Sequence, residues 1–241
     1  MKKKICGLAL IAIIFATLAP KCVAEDNAAQ LMKQRVRYTL SLELEFRKKP
    51  RNSFERAISA IFDGPNAYAT GFLVGDGLAM TAYHVVSGEL SYTKRIALGF
   101  GRTDELEVTV NVNGCRASVV KIDREMDLAL LEVCGSPKQT QALAFQNSPS
   151  KDEKLLMIAR PHGDRLLTQG TFYGSYSYGG QEYWSVKIDG RDGYSGSPVY
   201  NQKAELIGVF SGYDWSQKLA LVSPGIRAQK LLEDYRSALR P

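Results

Sequence analysis

The sequence is short of histidine, of cysteine and of long apolar runs, and each shortage excludes something. Only His84 and His162 occur in 241 residues. With no closely spaced thiol pair beside them, a zinc or redox centre has too few ligands, so neither a metal nor a cofactor is expected. The one extended apolar run, Ile5 to Ala19, falls short of the roughly 20 residues that a helix needs to cross a bilayer. It follows Lys2, Lys3 and Lys4 and precedes PKCVA, after which come Glu25 and Asp26. A basic start, a short apolar centre and a small residue at the break describe a signal peptide over 1–24, cut after Ala24. Lys21 argues against lipid attachment at Cys22, because that site wants small residues before the cysteine. The segment carries four of the 31 basic residues, which leaves 27 against 25 acidic in the exported chain. A charge so nearly balanced gives no reason to expect a nucleic-acid partner, and no stable membrane span remains after cleavage. The basic residues gathered in 33–56 read as a solvated arm.

Removing the signal also removes Cys6 and Cys22. Cys115 and Cys134 remain, and two cysteines in an oxidising compartment default to one disulfide. If CRASVVKI and DLALLEV pair about a turn centred between Arg124 and Glu125, these two residues stand opposite each other, within reach of a bond.

What remains is mostly strand material. From Ala67 onward come short runs broken by Gly, Asn and Asp: AYATGFLV, LAMTA, IALGF, LEVTVNV and the two cysteine-bearing runs. A second group follows the polar stretch 135–154, at 155–160, 166–173, 183–188, 198–200, 205–210 and 219–222. Such spacing suggests a sandwich or barrel. The chain ends in SPGIRAQKLLEDYRSALR, a helix over 223–240, with Ser223 as cap and Ile226, Leu231, Leu232, Tyr235 and Leu239 as its stripe. Before the strands, 26–38 reads as a short helix, 38–46 equally as helix or strand, and 53–62 as a helix capped by Ser53. Residues 25–60 are thus an extension, either a pro-segment or a piece packed on the domain.

Three segments carry chemistry: TAYHVV around His84, DLALL opening at Asp127, and GYSGSP around Ser195. A serine hydroxyl is a poor nucleophile until a base stands within hydrogen-bond reach, and the imidazole needs an acceptor to fix its tautomer. Two donors must meet the developing oxyanion, a task for the amides of Gly193 and Ser195. Taken singly, the histidine reads as a structural residue, the aspartate as a turn and the glycine–serine run as a surface loop. Their joint presence, in the order His, Asp, Ser, is what points to catalysis.

In these segments the chain resembles the trypsin-like, chymotrypsin-fold serine proteases. GFLVGDGLAMTAYHVV and DLALLEV resemble the bacterial HtrA-like and glutamyl-endopeptidase branches. GYSGSPV, with Asn201, Lys203, Glu205, Ile207 and Gly208 after it, is similar to the staphylococcal glutamyl endopeptidases. The resemblance implies an all-β fold of two packed six-stranded antiparallel barrels, with a C-terminal helix and a partly helical N-terminal extension. The protease domain would span 61–241, its first barrel about 61–140 and its second about 150–222. It implies an exported, secreted or periplasmic serine endopeptidase acting on protein or peptide substrates. His84 would serve as base and then acid, Asp127 as its orienter and Ser195 as nucleophile, with an acyl-enzyme between the two half-reactions. The alternatives are a binding protein that keeps the fold without the chemistry, and a protease held latent by its N-terminal segment.

For specificity the resemblance points to Asp189, Gly190, Phe210, Ser211 and Tyr213. An aspartate six residues before the nucleophile selects Arg or Lys in the trypsin branch. Here Asp189 reads either that way or as a loop residue beside Arg191. Phe210 replaces the histidine, and Gly190 the hydroxyl residue, that read glutamate in the staphylococcal enzymes. Tyr213 is placed to narrow the pocket, and Ser211 to support Asp127. Tyr194 stands where the trypsin branch receives its freed N-terminus with an aspartate. His162 reads as a structural residue of the loop that opens the second barrel.

Overall fold

The computed structural model describes residues 19–50, 66–75, 77–135 and 143–239. Most of the signal-peptide segment and the helix expected at 53–62 lie outside the described residues. The described chain opens with helix α1 (Ala19–Tyr38), which spans the expected cleavage point and runs straight into strand β1 (Thr39–Lys48). Then come β2 (Ala67–Gly75), β3 (Leu78–Ala82), a single helical turn α2 (Tyr83–Val86) and helix α3 (Tyr92–Ala97). Strands β4 (Leu106–Val112), β5 (Cys115–Arg116), β6 (Ser118–Asp123) and β7 (Leu128–Glu132) complete the first half. The second half holds β8 (Lys154–Ala159), β9 (Leu166–Tyr178), β10 (Gln181–Lys187), β11 (Pro198–Asn201), β12 (Leu206–Asp214) and β13 (Leu219–Pro224). Helix α4 (Gly225–Ala238) follows.

The expectation of two closed six-stranded barrels is corrected. The second half closes, in the order β10-β13-β12-β11-β8-β9, but the first is an open seven-stranded sheet, β5-β4-β1-β2-β3-β7-β6. The reason lies in residues 115–123. Cys115 and Arg116 pair with β4, while Ser118 to Asp123 pair with β7 on the far edge. Ala117 between them still donates its amide to Val110. One stretch of chain therefore covers both edges in turn, and no strand hydrogen-bonds to both at once.

Two further readings change. Residues 92–97, expected to lead into a strand at IALGF, are helical: the Ser91 hydroxyl accepts the Lys94 amide and caps the turn. Ser223 does not cap the last helix. It lies within β13 with its hydroxyl donated to the Met126 carbonyl, and the helix starts after Pro224. Accordingly Leu231 and Leu232 are buried while Ile226 and Leu239 stay exposed.

The ambiguous segment 38–46 is strand, and an internal one. β1 lies between β2 (Leu42↔Ala69) and β4 (Leu44↔Val110), so its backbone groups are paired on both sides. Leu42, Leu44 and Phe46 point into the core of the open sheet. Upstream, Arg35 is buried on α1, its guanidinium near the ring of the fully buried Tyr200 and its Nε donating to the Ala204 carbonyl. Burial pushes the Tyr200 hydroxyl far above its ordinary range. A separate core, made of Phe72, Met80, Leu128, Leu130, Ile158, Leu206 and Val209, welds the sheet to the barrel, and α4 closes over it through Leu231 and Leu232. Each such side chain is worth about 1.5–3 kcal/mol of burial, and together they make the two halves one rigid frame for a site between them.

Cys115 and Cys134 are bonded, with Cα atoms 6.3 Å apart. The pairing that led to this expectation is offset, however. Ser118 faces Glu132 and Ile122 faces Ala129, with an irregularity between Val119 and Lys121. The connecting turn is wider than a symmetric hairpin because Asp127 sits in it with φ of 53°. The bridge spans 19 residues, so replacing both cysteines by serine is expected to lower unfolding free energy by about 3 kcal/mol. Urea denaturation of the oxidised protein and the double variant measures this, and equal midpoints would contradict it.

Candidate active site

Strand register brings the first two polar residues together. Ala82 at the end of β3 faces Leu128 at the start of β7. One step further out, the Tyr83 amide donates to the Asp127 carbonyl at 3.0 Å. The Asp127 side chain then reaches α2 with both oxygens. Oδ1 accepts the His84 backbone amide at 2.8 Å, and Oδ2 lies 2.8 Å from His84 Nδ1. Aspartate is among the few residues that adopt a positive φ readily, which lets the carboxylate double back onto the helical turn.

His84 Nε2 lies 2.8 Å from Ser195 Oγ. The carboxylate can only accept, so the imidazole hydrogen sits on Nδ1 and Nε2 is left to accept from the serine hydroxyl. The imidazole is 39% exposed and the carboxylate 15%, so the charge is shielded while the nucleophile's side of the ring faces the cleft. Burial raises the Tyr183 hydroxyl above its usual range, and the nearby charges of Asp127 and Asp123 push the same way.

Ser195 stands on a loop that the sheet holds from across the interface. Gly193 and Gly196 have φ of 86° and 83°. The Ser195 carbonyl accepts the Thr70 amide at 2.9 Å, and the Gly196 amide donates to Phe210 at 2.8 Å. A Cβ on Gly196 would sit 2.1 Å from both the Thr70 carbonyl and Thr81 Oγ1, so only glycine fits. The Thr70 hydroxyl donates to the Gly193 carbonyl at 2.8 Å and accepts the Arg160 amide at 2.9 Å, while Thr81 donates to the Thr70 carbonyl. That bond fixes the peptide between Gly193 and Tyr194, which lies between the two candidate oxyanion amides. Among the described residues neither the Gly193 nor the Ser195 amide donates to a protein acceptor.

Thr70 and Thr81 are fully buried, and the sequence reading missed them. A signal was present: each is a lone hydroxyl inside an apolar strand, AYATGFLV and LAMTA, and a buried hydroxyl needs a partner.

The specificity residues are placed less as expected. Asp189, read either as a selector of basic residues or as a loop residue, is exposed. Gly190 is buried tightly instead: a Cβ there would lie 2.8 Å from Tyr213 Cβ and 2.9 Å from the Phe210 ring. Tyr194 is also buried, its ring centroid 6.5 Å from that of Phe210. The two walls expected to flank a side-chain pocket therefore touch. Ser211 does not reach Asp127. Its hydroxyl bonds Ser223 at 2.7 Å, and Ser223 in turn holds the Met126 carbonyl, so any support for Asp127 runs through the backbone beside it. His162 lies in a short turn with its ring centroid 4.1 Å from that of Tyr68.

Among the described residues no cluster of three or more His, Cys, Asp or Glu gathers to hold a metal, and no helix is long and apolar enough to cross a membrane.

Comparison with known proteins adds the lineage. Residues 69–209 match the family model of the trypsin-like peptidase domain. Over 167 residues, 65% of this chain, the sequence is 25% identical to a glutamyl endopeptidase of Staphylococcus epidermidis. That match spans 59% of the relative's length. Among solved structures, an inactive form of Rv3671c from M. tuberculosis H37Rv aligns with a TM-score of 0.56 at 18% identity, over 95% of this chain and 99% of that one. A serine endoprotease from Yersinia pestis aligns with a TM-score of 0.57 at 16% identity, over 86% and 66%. These two likenesses concern the fold.

Proposed function

The chain belongs to the trypsin-like peptidase family, and from that premise we propose that it is an exported serine endopeptidase working through an acyl-enzyme. The observation that carries the reading is the unbroken chain from Asp127 Oδ2 to His84 Nδ1 and from His84 Nε2 to Ser195 Oγ, each step 2.8 Å. In this mechanism Ser195 Oγ attacks the scissile carbonyl carbon as its proton passes to His84 Nε2. The carbonyl oxygen becomes an oxyanion facing the amides of Gly193 and Ser195. His84 returns the proton to the leaving amine as the C–N bond breaks, and an ester to Ser195 remains. Water then gives a proton to His84 and attacks the ester, releasing the acid and restoring the serine. Asp127 keeps the hydrogen on Nδ1 throughout and stabilises the transient imidazolium.

Export is supported by the basic and apolar N-terminal pattern together with the disulfide. Glutamate selection, the property named in the staphylococcal relatives, has no basis in Phe210 or Gly190. The contact of Gly190 with Tyr213 and Phe210 favours instead a small residue on the acyl side of the bond. Latency released by removing residues 25–60 finds no support in the fold, since that cut would take out β1 from between β2 and β4.

The test is covalent. A fluorophosphonate probe is expected to label the protein once per chain and to leave a Ser195→Ala variant unlabelled. An unlabelled native protein would favour the reading of a non-catalytic binding protein on this fold.

A further inference from the structure

Resting on that acyl-transfer reading, we infer that the enzyme selects its substrates chiefly on the leaving-group side, by a bulky apolar residue directly after the scissile bond. The cleft that opens from Ser195, His84 and Gly193 has a volume of about 600 Å³. Its lining is drawn from β1, β2, α2 and the segment after α2, with Leu44, Phe46, Ala69, Val85, Leu90 and Leu98 as its apolar floor and sides. None of residues 210–213, which press against Gly190, contributes to it. The cleft and the closed acyl-side wall therefore lie on different sides of the nucleophile.

The chemistry says which part of the substrate each side meets. The departing amine takes its proton from His84 Nε2, so that half of the peptide must leave past the imidazole. Val85 directly follows His84, Leu90 and Leu98 come later in the same stretch of chain, and all three line the cleft. An apolar side chain lodged against Leu44, Phe46, Ala69, Val85, Leu90 and Leu98 loses its water and gains contact, whereas a polar one placed there meets side chains with no hydrogen-bonding group. Of the charged lining residues, Lys94 on α3 pairs with Asp192 on the nucleophile's loop, Nζ to Oδ1 at 3.1 Å, and Glu89 is exposed. The space is within the range that holds compact ligands, and so admits a leucine or phenylalanine side chain with room for the backbone that carries it.

A partition experiment isolates this side from the acyl side. An alanine-type peptide p-nitrophenyl ester acylates Ser195 with release of nitrophenol, and an added amino-acid amide competes with water for the ester. The amine nitrogen attacks the acyl carbon, His84 takes its proton, and Ser195 leaves. The acyl group is constant, so the aminolysis-to-hydrolysis ratio reports the leaving-group site alone. Leucine amide and phenylalanine amide are expected to exceed glycine amide by at least about tenfold. Ala97→Trp, which places a large ring in the cleft from the exposed end of α3, is expected to bring all three to the glycine value. A thermal melt matching that of the native protein shows that the variant is folded. Leu90→Asp, which leaves the cleft open but charges it, is expected to lower the ratio for phenylalanine amide at least about fivefold. Equal ratios for the three amides in an enzyme that releases nitrophenol would overturn the inference and leave the peptidase reading standing. Release of nitrophenol no faster than without the protein would overturn both.

Discussion

Replacing Ser195 by Ala is expected to lower kcat on a peptide substrate about 10⁶-fold while leaving stability within about 0.5 kcal/mol of the native protein. Two features of the loop separate these effects. The hydroxyl has a single side-chain partner, His84 Nε2 at 2.8 Å. The loop itself is held by backbone groups, the Ser195 carbonyl with Thr70 and the Gly196 amide with Phe210, which alanine keeps. The residual rate comes from binding and the oxyanion donors, which remain in place. The neighbouring Ser197 supplies the control. It is buried, and its Oγ has no hydrogen-bond partner among the described residues. Ser197→Ala should therefore keep nearly full activity, because the buried hydroxyl contributes no bond that alanine loses. Steady-state kinetics and thermal melts of both variants check the pair. A Ser195→Ala protein retaining more than about a hundredth of native kcat would remove this residue from the chemistry.

Asp127→Asn is the second large effect, a fall in kcat of about 10⁴-fold. The fold should persist, because the carboxamide is isosteric and can keep one of the two bonds the carboxylate makes. That retained bond decides the outcome. The His84 backbone amide is a fixed donor 2.8 Å from Oδ1, so the asparagine oxygen stays there and its NH₂ turns toward His84 Nδ1. Nδ1 must then accept, and the imidazole hydrogen moves to Nε2, where it faces Ser195 and cannot take a proton. Asp127→Ala, lacking the misdirected donor, loses orientation without forcing the wrong tautomer, so the two variants separate steric from electronic effects. ¹⁵N shifts of the His84 ring read the tautomer directly. Asparagine with native kcat, or with hydrogen still on Nδ1, would contradict the account.

The three reactive residues were legible because each sits in a short motif with a chemical reason. His84 follows a strand, Asp127 precedes one, and Ser195 lies between two glycines. The fold was legible only in part. Alternation and turn residues marked most strands, but residues 115–122 read as one strand and fall into two, because edge pairing is decided by the partner and not by the segment. Residues 92–97 lacked an unambiguous period, and the Ser91 cap decided for helix. Ser223 had every local mark of a helix cap, yet its hydroxyl was claimed by Met126 in the turn between β6 and β7 and by Ser211 on β12.

Specificity shows the same division. Spacing left Asp189 either under a pocket or in an open loop, since nothing local says which way a side chain in DGRDG will face, and in the folded chain it is exposed. The cleft beside His84 is built from residues separated by more than a hundred positions along the chain, from Leu44 on β1 to Ser195 beyond β10. The reaction type was thus written in the sequence by itself, because nucleophile, base and orienter are side-chain types that local motifs carry. Which side chains the substrate meets was left to tertiary packing. A cleft is empty space between elements, and its shape exists only once the open sheet, the barrel and β1 have been brought against one another.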